Sequence, residues 1–493
     1  MDTLWNIDTI ISILKPVVLQ KGTQNNANGI KIDSFLTMPN DLYVAIDSSK
    51  YDHKDGSLGF SANEDSVFGL GGVLDGHTNL KDAFEKGAKF FIIDKNNYHV
   101  GFNVFPEIWI LLVKDSLDAL AKLARYRLEN QKTKVIGVTG STGKTSTTYA
   151  VATCLRAKYK VRQFYRTRTS YLSLIMDVLN KLQPTDDFLV VEMQMDGLNQ
   201  IASFCSVTPP DFAIITNVNN SHVQRLGSPE SILKAKLEIY SGMRDNGILI
   251  VNGDNQTIFN WIQTQKDNRF FVYGSSSHFN LYASDILIST KSAKAEFNLN
   301  YGDKALPAST TIVGKHAVYT GLAAASVTAL NGFSLEETCV SIKSIRSVPG
   351  RLQCFLGQNG CYVLDDAYNA NLFSMTAAID ALLSLPAKRR IAFIGSMLEL
   401  AEFSERDHRI LGSKLTTSVD VLITVGESAY YVADEVLKKG FSKQHLYCTD
   451  SVEDAISLIP YLSLDNQTAV LVKGSGAMRM DRITPYLLST PIG

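Results

Sequence analysis

The residues Thr139-Gly140-Ser141-Thr142-Gly143-Lys144-Thr145 follow an apolar run, "KVIGV", and precede a series of small helix formers. Glycines at that spacing let successive backbone N–H groups converge on an anion, and a helix start adds partial positive charge. A lysine at 144 reaches outer phosphates, and a threonine at 145 offers a hydroxyl to Mg²⁺. The strict pattern G-x-x-x-x-G-K-[ST] fails by one position, because Val138 stands where its first glycine would be. Motors, switches, kinases and synthetases all use such a loop, so it predicts nucleotide binding and leaves the reaction open.

Further along, "VVEMQMDG" ends an apolar strand with Glu192, "ITNVNNSHVQRLGSPESI" carries His222 after another, and "ILKAKLEIY" places Lys236 on a helix. Each has a plain alternative: a helix cap, a loop histidine, a solvated helical lysine. Position favours function for the first two, because the carboxylate and the imidazole follow consecutive strands of the sheet that carries the phosphate loop. "SVPGRLQ" sets Arg351 after a glycine, and its planar cation suits delocalised phosphate charge.

These residues need a scaffold, and the rhythm of apolar runs and turn signals divides the chain into three segments. Residues 1–128 hold "DLYVAI" and "KFFIIDK" as short strands with the helix "TNLKDAFEKGA", closed by Gly87, between them. The stretch 59–73 reads as a glycine-rich excursion before that helix, and "SLDALAKLARYRLENQ" as an amphipathic helix leading onward. In residues 129–345 the apolar strands "KVIGVTG", "DFLVVEM", "DFAIITNV" and "GILIVNGD" alternate with helices, which predicts a buried parallel sheet with right-handed crossovers. Residues 346–493 restart with "GCYVLDDA", "RIAFIGSM", "DVLITVG", "HLYCT" and "TAVLVKG", a second doubly wound unit with ligands expected at strand carboxyl ends. The fold class is α/β with three domains: a small N-terminal substrate domain, a central P-loop ATPase-like parallel-sheet domain and a C-terminal Rossmann-like domain.

With 493 residues, 45% hydrophobic, 20% charged and a net charge of −1, the chain favours neither nucleic acid nor a membrane surface. Its six cysteines show no C-x-x-C pair and no metal-finger spacing with the eight histidines, so reduced thiols are expected. There is no run of 18 apolar residues, and "MDTLWNIDTIISILK" lacks the form of a leader. A cytoplasmic, monomeric enzyme is the expectation.

The spelling T-G-S-T-G-K-T-S resembles the loop of the Mur ligase superfamily, ATP-dependent peptide-forming ligases of bacterial wall synthesis, with folylpolyglutamate synthetases among its relatives. Glu192, the "TN…H…GS.E" segment with His222, and the "AK.E" lysine at 236 match further landmarks of that family. The resemblance implies that Glu192 and His222 ligate Mg²⁺ and that Lys236 is carbamoylated by CO₂ into an anionic ligand. A free ammonium would repel Mg²⁺, whereas a carbamate supplies hard oxygens. It assigns ATP to residues 140–146 (Gly140, Ser141, Thr142, Gly143, Lys144, Thr145, Ser146), to Arg351 and to His316 of "VGKHAVYTGL", where Ala317 replaces the family's asparagine.

Which branch it resembles is carried by "VLDDAYNANLFSMTAAIDAL", residues 363–382, close to the D-D-[AS]-Y-N-A-N-P-x-S-M signature of the branch that adds D-alanyl-D-alanine to a UDP-linked muramoyl tripeptide. "FIGSMLELAEFSERDH" and "LVKGSGAMRMDRI" follow that branch, as do "IDSFLTMPNDLYVAI" and "DGHTNLKDAFEKGAKFFIID" at the front. By resemblance Asp366 meets the ribose, Tyr368 and Asn369 line the nucleotide cleft, and Ser34, Asn371, Lys473 and Ser475 serve the substrates. Departures concentrate in substrate-reading positions: Phe35 for arginine, the segment 164–179, Leu372 for proline, Ser396 for aspartate and Gly476 for arginine.

The implied reaction is amide formation from small-molecule carboxylate and amine substrates through an acyl phosphate, with Lys144, His222, Lys236 and Arg351 as its catalytic set. A divergent paralogue joining another pair is the alternative within this class. A non-catalytic nucleotide-binding scaffold is the alternative outside it, and the retained lysines, glutamate and histidine argue against that. A kinase would instead release a stable phosphorylated product.

Overall fold

The structure, a computed structural model, describes residues 5–47, 75–98, 105–164, 170–195, 197–219, 228–288, 294–398 and 400–488. The stretch 59–73, His222 and residues 165–169 of the 164–179 segment lie outside the described residues. The chain divides into two compact units: Met1–Gly137, Tyr159–Ala213 and Lys234–Gly247 make the first, and Val138–Lys158, Ile214–Leu233 and Ile248–Gly493 the second.

Near the N-terminus are β1 (Trp5–Asn6), β2 (Val17–Gln20), β3 (Asn26–Ala27), β4 (Ile30–Lys31), β5 (Leu42–Val44), β6 (Phe90–Asp94) and β7 (Trp109–Val113). Five of them form a sheet in the order β2-β7-β6-β5-β4, parallel except for β2. Its central strands β6 and β7 are buried along their whole length, which is why "FFIID" and "WILLV" carry no polar alternation. The expected helix is present over Leu80–Glu85, and Gly87 just beyond it adopts φ +98°, the left-handed turn that favours glycine at a helix end. Helix Ser116–Glu129 is capped by Asp115, whose carboxylate accepts the Asp118 N–H at 2.7 Å. From its buried face Arg127 donates to the carbonyls of Leu179 and Leu182, satisfying groups left open at the end of helix Tyr171–Lys181.

The next strands are β8 (Lys134–Thr139), β9 (Val161–Gln163), β10 (Phe188–Glu192), β11 (Phe212–Ile215), β12 (Ile248–Asn252), β13 (Phe270–Gly274), β14 (Leu281–Ile288), β15 (Ala295–Tyr301) and β16 (Lys304–Thr310). They are ordered β16-β15-β14-β13-β12-β11-β8-β10-β9. The sequence predicts a parallel sheet, and the structure departs from it at one edge, where β15 pairs antiparallel with both β14 and β16. The cause is visible in "AEFNLNYGDKALPAST". Its residues alternate in burial along β15, and Tyr301 pairs with Lys304 across a two-residue turn in which Gly302 takes φ +58°.

The remaining strands are β17 (Gln353–Leu356), β18 (Tyr362–Asp366), β19 (Arg389–Gly395), β20 (Val421–Val425), β21 (Leu446–Thr449) and β22 (Thr468–Lys473). They form a sheet in the order β17-β18-β22-β19-β20-β21, with only the edge strand β17 antiparallel. Alternate residues feed two cores. Leu364, Ile394, Leu422 and Leu471 face one, while Val363, Phe393, Ile423 and Val472 face the other. The carboxyl ends of β18, β22 and β19 thereby come into register, with Asp366 beside Lys473 and Lys473 beside Ile394. Among the described residues, no helix is long and apolar enough to cross a membrane.

Candidate active site

The phosphate loop leaves β8 at Thr139 and enters helix Lys144–Leu155 through Gly143, which adopts φ +78°. Among the described residues no side chain caps that helix, so its first N–H groups face the loop as an anion site requires. Val138, the position that breaks the strict pattern, is fully buried in β8 and belongs to the core. Gly140 is required by space, because a Cβ there would run into the Thr216 hydroxyl. Lys144 Nζ donates to the Gly140 carbonyl at 2.9 Å, which folds the ammonium back over the loop.

A second loop, after β11, grips the first. Asn217 Oδ1 accepts the Thr142 N–H at 3.0 Å and its hydroxyl at 3.2 Å, while Asn217 Nδ2 donates to the Thr142 carbonyl at 3.1 Å. Thr216 Oγ1 donates to the same carbonyl at 2.7 Å, and Ser141 N–H bonds the Asn217 carbonyl at 3.0 Å. Sequence reasoning used "TN" only as a landmark before His222 and did not identify Asn217. Its available signal was an amide side chain at a strand end beside the phosphate loop.

The second unit also brings together Thr145, Arg351, Tyr368, Asp366, Asn369 and Lys473. Arg351 Nη2 donates to Thr145 Oγ1 at 3.1 Å, and the guanidinium carbon lies 3.6 Å from the centre of the Tyr368 ring. Arg351 Nε is buried and makes no hydrogen bond among the described residues, a donor suited to a phosphate oxygen. Lys473 Nζ donates to Asp366 Oδ2 at 2.5 Å, to the Asn369 carbonyl at 2.9 Å and to the Asp366 carbonyl at 3.4 Å. An ammonium has three protons, so these acceptors occupy Lys473 fully. Asp366 Oδ1 accepts the Leu352 N–H at 3.0 Å. Burial drives the His316 imidazole down to about 4, assisted by the positive charge of Lys473.

The other expected residues are placed as follows. Glu192 ends β10 and is nearly buried, and Lys236 is 1% exposed; both belong to the first unit. His222 lies outside the described residues. Ser34 is buried, while its neighbour Phe35 is 78% exposed and has the Lys86 ammonium 4.4 Å from its ring centre. Asn371 is the N-cap of helix Leu372–Leu383, accepting the Ser374 N–H at 2.9 Å. Leu372 therefore stands at the first helical position, where a proline would also fit. Ser475 Oγ accepts the Leu398 N–H at 2.8 Å, and Ser396 Oγ accepts the Ala429 N–H at 3.1 Å, a duty the aspartate it replaces could also perform.

Mg²⁺ favours a few protein oxygens together with substrate phosphates over an all-protein cage. In the second unit the Thr145 hydroxyl at the start of the phosphate helix is an oxygen of that kind, and in the first unit the Glu192 carboxylate ends β10.

Residues 138–328 match the Mur ligase middle domain and residues 350–476 the Mur ligase, glutamate ligase domain. The chain is 30% identical over 421 residues to a UDP-N-acetylmuramoyl-tripeptide–D-alanyl-D-alanine ligase of Bacillus subtilis (strain 168), covering 85% of this chain and 89% of that one. Among solved structures, MurF from Acinetobacter baumannii superposes with a TM-score of 0.81 at 22% identity over 98% of both chains. A MurF ligase from Thermotoga maritima in complex with ADP gives 0.77 at 23% identity, covering 93% of this chain and 96% of that one.

Proposed function

The chain belongs to the Mur ligase family, and from that premise we propose that it joins the terminal carboxylate of a UDP-N-acetylmuramoyl tripeptide to the amine of D-alanyl-D-alanine, consuming ATP in the cytoplasm. It is an ATP-dependent, amide-forming ligase. The observation that carries the assignment of its nucleotide site is the bond from Arg351 to Thr145. Through Arg351, whose guanidinium carbon lies 3.6 Å from the centre of the Tyr368 ring, that bond links the "DDAYNAN" segment to the first turn of the phosphate helix.

In this reading the loop N–H groups and Lys144 hold the β- and γ-phosphates, and Arg351 lies against the transferring group. A substrate carboxylate oxygen attacks the γ-phosphorus, the bond to the β-phosphate oxygen breaks, and ADP leaves. The amine then attacks the acyl carbon, loses a proton, and phosphate departs. His316, held neutral, and Asp366 serve the nucleotide in this reading. Lys473, with its three protons occupied, holds Asp366 and the Asn369 carbonyl in place, and Ser475, Asn371 and Ser34 belong to substrate-binding loops. Thr145, Glu192, His222 and a carbamoylated Lys236 would hold Mg²⁺. That ion supplies charge neutralisation of the phosphates.

The test is ADP formation by purified protein given ATP, Mg²⁺, UDP-muramoyl tripeptide and D-alanyl-D-alanine, with dependence on both substrates. Turnover with another amine but none with this pair would identify a paralogue of different specificity. ATP binding without turnover on any pair would favour a scaffold.

A further inference from the structure

The loop from Asp366 to Asn369 is held from three directions. Lys473 Nζ takes the carbonyls of Asp366 and Asn369, and the Gly350 carbonyl accepts the Tyr368 N–H at 3.2 Å. From the third direction Gly476 abuts the Tyr368 carbonyl: a Cβ built on Gly476 would fall 2.7 Å from that oxygen, well inside contact distance. The obstructing atom is backbone, so no rotamer change can relieve it. The Tyr368 ring in turn carries Arg351, which bonds Thr145. The arginine that the family pattern has at 476 cannot enter this backbone without displacing Tyr368.

We propose that Gly476 is a positioning residue for the nucleotide site, its bare Cα seating the Tyr368 carbonyl and so setting where the Tyr368 ring holds Arg351 against Thr145. This rests on the reading that Thr145 and Arg351 serve ATP. It gives the arginine-to-glycine departure a role in phosphoryl transfer as well as at the substrate loop. A displaced guanidinium weakens charge stabilisation in the transition state more than it weakens substrate binding.

The experiment compares wild type, Gly476→Ala, Tyr368→Leu and the double variant for ADP formation, with a melting curve for each. Gly476→Ala is expected to keep its melting midpoint and its KM for the amine while kcat falls about tenfold to a hundredfold, the cost of a misplacement near 1 Å. In the Tyr368→Leu background the alanine should cost nothing further, because the ring that transmits the displacement is gone. Wild-type kcat in Gly476→Ala, additive losses in the double variant, or an alanine variant that does not fold would each overturn the proposal, the last by showing that Gly476 serves the fold alone. A wild-type protein that forms no ADP would overturn the ligase reading itself, and this relay with it.

Discussion

Lys473 Nζ lies 2.5 Å from Asp366 Oδ2, at adjacent positions on the parallel strands β22 and β18, with both side chains inside the protein. Burial pushes the Asp366 carboxyl up and the Lys473 ammonium down, and the opposite charge of each resists the shift. Removing one partner leaves the other as an uncompensated buried charge, which costs about 3–5 kcal/mol. Lys473→Met is therefore expected to lower the urea midpoint sharply, and Lys473→Met with Asp366→Asn to recover much of the loss. A single variant as stable as wild type would show that the pair does not hold the strand ends together.

Two other groups, the buried Asp365 and the partly buried His316, make stability depend on pH with opposite signs. Burial lifts Asp365 to about 6, against the hydrogen bond from the Ala367 N–H that favours the anion. Its cost is absent below the ordinary carboxylate value and complete once the pH passes about 6, so stability falls as pH rises through that window. His316, lowered to about 4 chiefly by burial, stays neutral when folded while the unfolded chain takes up a proton, so its cost appears as pH falls from about 6.5 to about 4. Asp365→Asn is expected to gain at most about 3 kcal/mol near pH 8 and little near pH 4, and His316→Gln the reverse. Melting curves at both ends of the range decide it. An equal gain at both pH values for either variant would contradict the assignment.

What the sequence made legible is what local chemistry writes into it. The phosphate loop has strand, glycines, lysine and helix in succession, and each is a short-range signal. The parallel strands of the C-terminal sheet are unbroken apolar runs, and Gly87 marks the end of its helix. The antiparallel edge β14–β16 is less legible because the alternation of β15 breaks at its end, where polar Asn300 is buried and aromatic Tyr301 exposed, and the register shift between Ser284 and Leu287 blurs it further. The grip of Asn217 on Thr142 joins residues 75 apart, and the contact of Gly476 with Tyr368 is purely spatial. Departures such as Leu372 and Ser396 look functional in a string of letters. In the fold they are a first helical residue and a hydroxyl cap.

The clamp on the phosphate loop predicts a graded series. Asn217→Ala removes every bond that the amide makes to Thr142, and at about 1 kcal/mol for each such bond the KM for ATP should rise about tenfold or more, with a smaller change in the amine KM. Gly140→Ala should be worse, since its methyl meets the Thr216 hydroxyl that holds the same carbonyl. Gly143→Ala meets nothing within 4 Å among the described residues and bears only the strain of its left-handed backbone, about 1–2 kcal/mol. Steady-state kinetics on the three variants give the order. If Gly143→Ala is the most damaged for ATP, the loop is held by its own backbone rather than by Asn217 and Thr216.

Lys236 carries the last prediction. It lies on helix Pro229–Ser241 with only 1% of its surface exposed, an unusual setting for a lysine with no role. As a carbamate it would offer hard oxygens to Mg²⁺, and as an ammonium it would repel the ion. Activity should therefore fall in buffer stripped of CO₂ and return with bicarbonate. Lys236→Ala should lose about a hundredfold in kcat, in line with the loss of a metal-ligand shell, yet still bind ATP. Lys236→Glu should recover part of that loss by restoring a carboxylate. Isotope-labelled bicarbonate gives a readout independent of turnover, because labelled carbon should appear on wild type and not on either variant. Full activity without CO₂, together with no labelled carbon on the wild-type protein, would remove Lys236 from the metal site and leave it as a buried structural lysine.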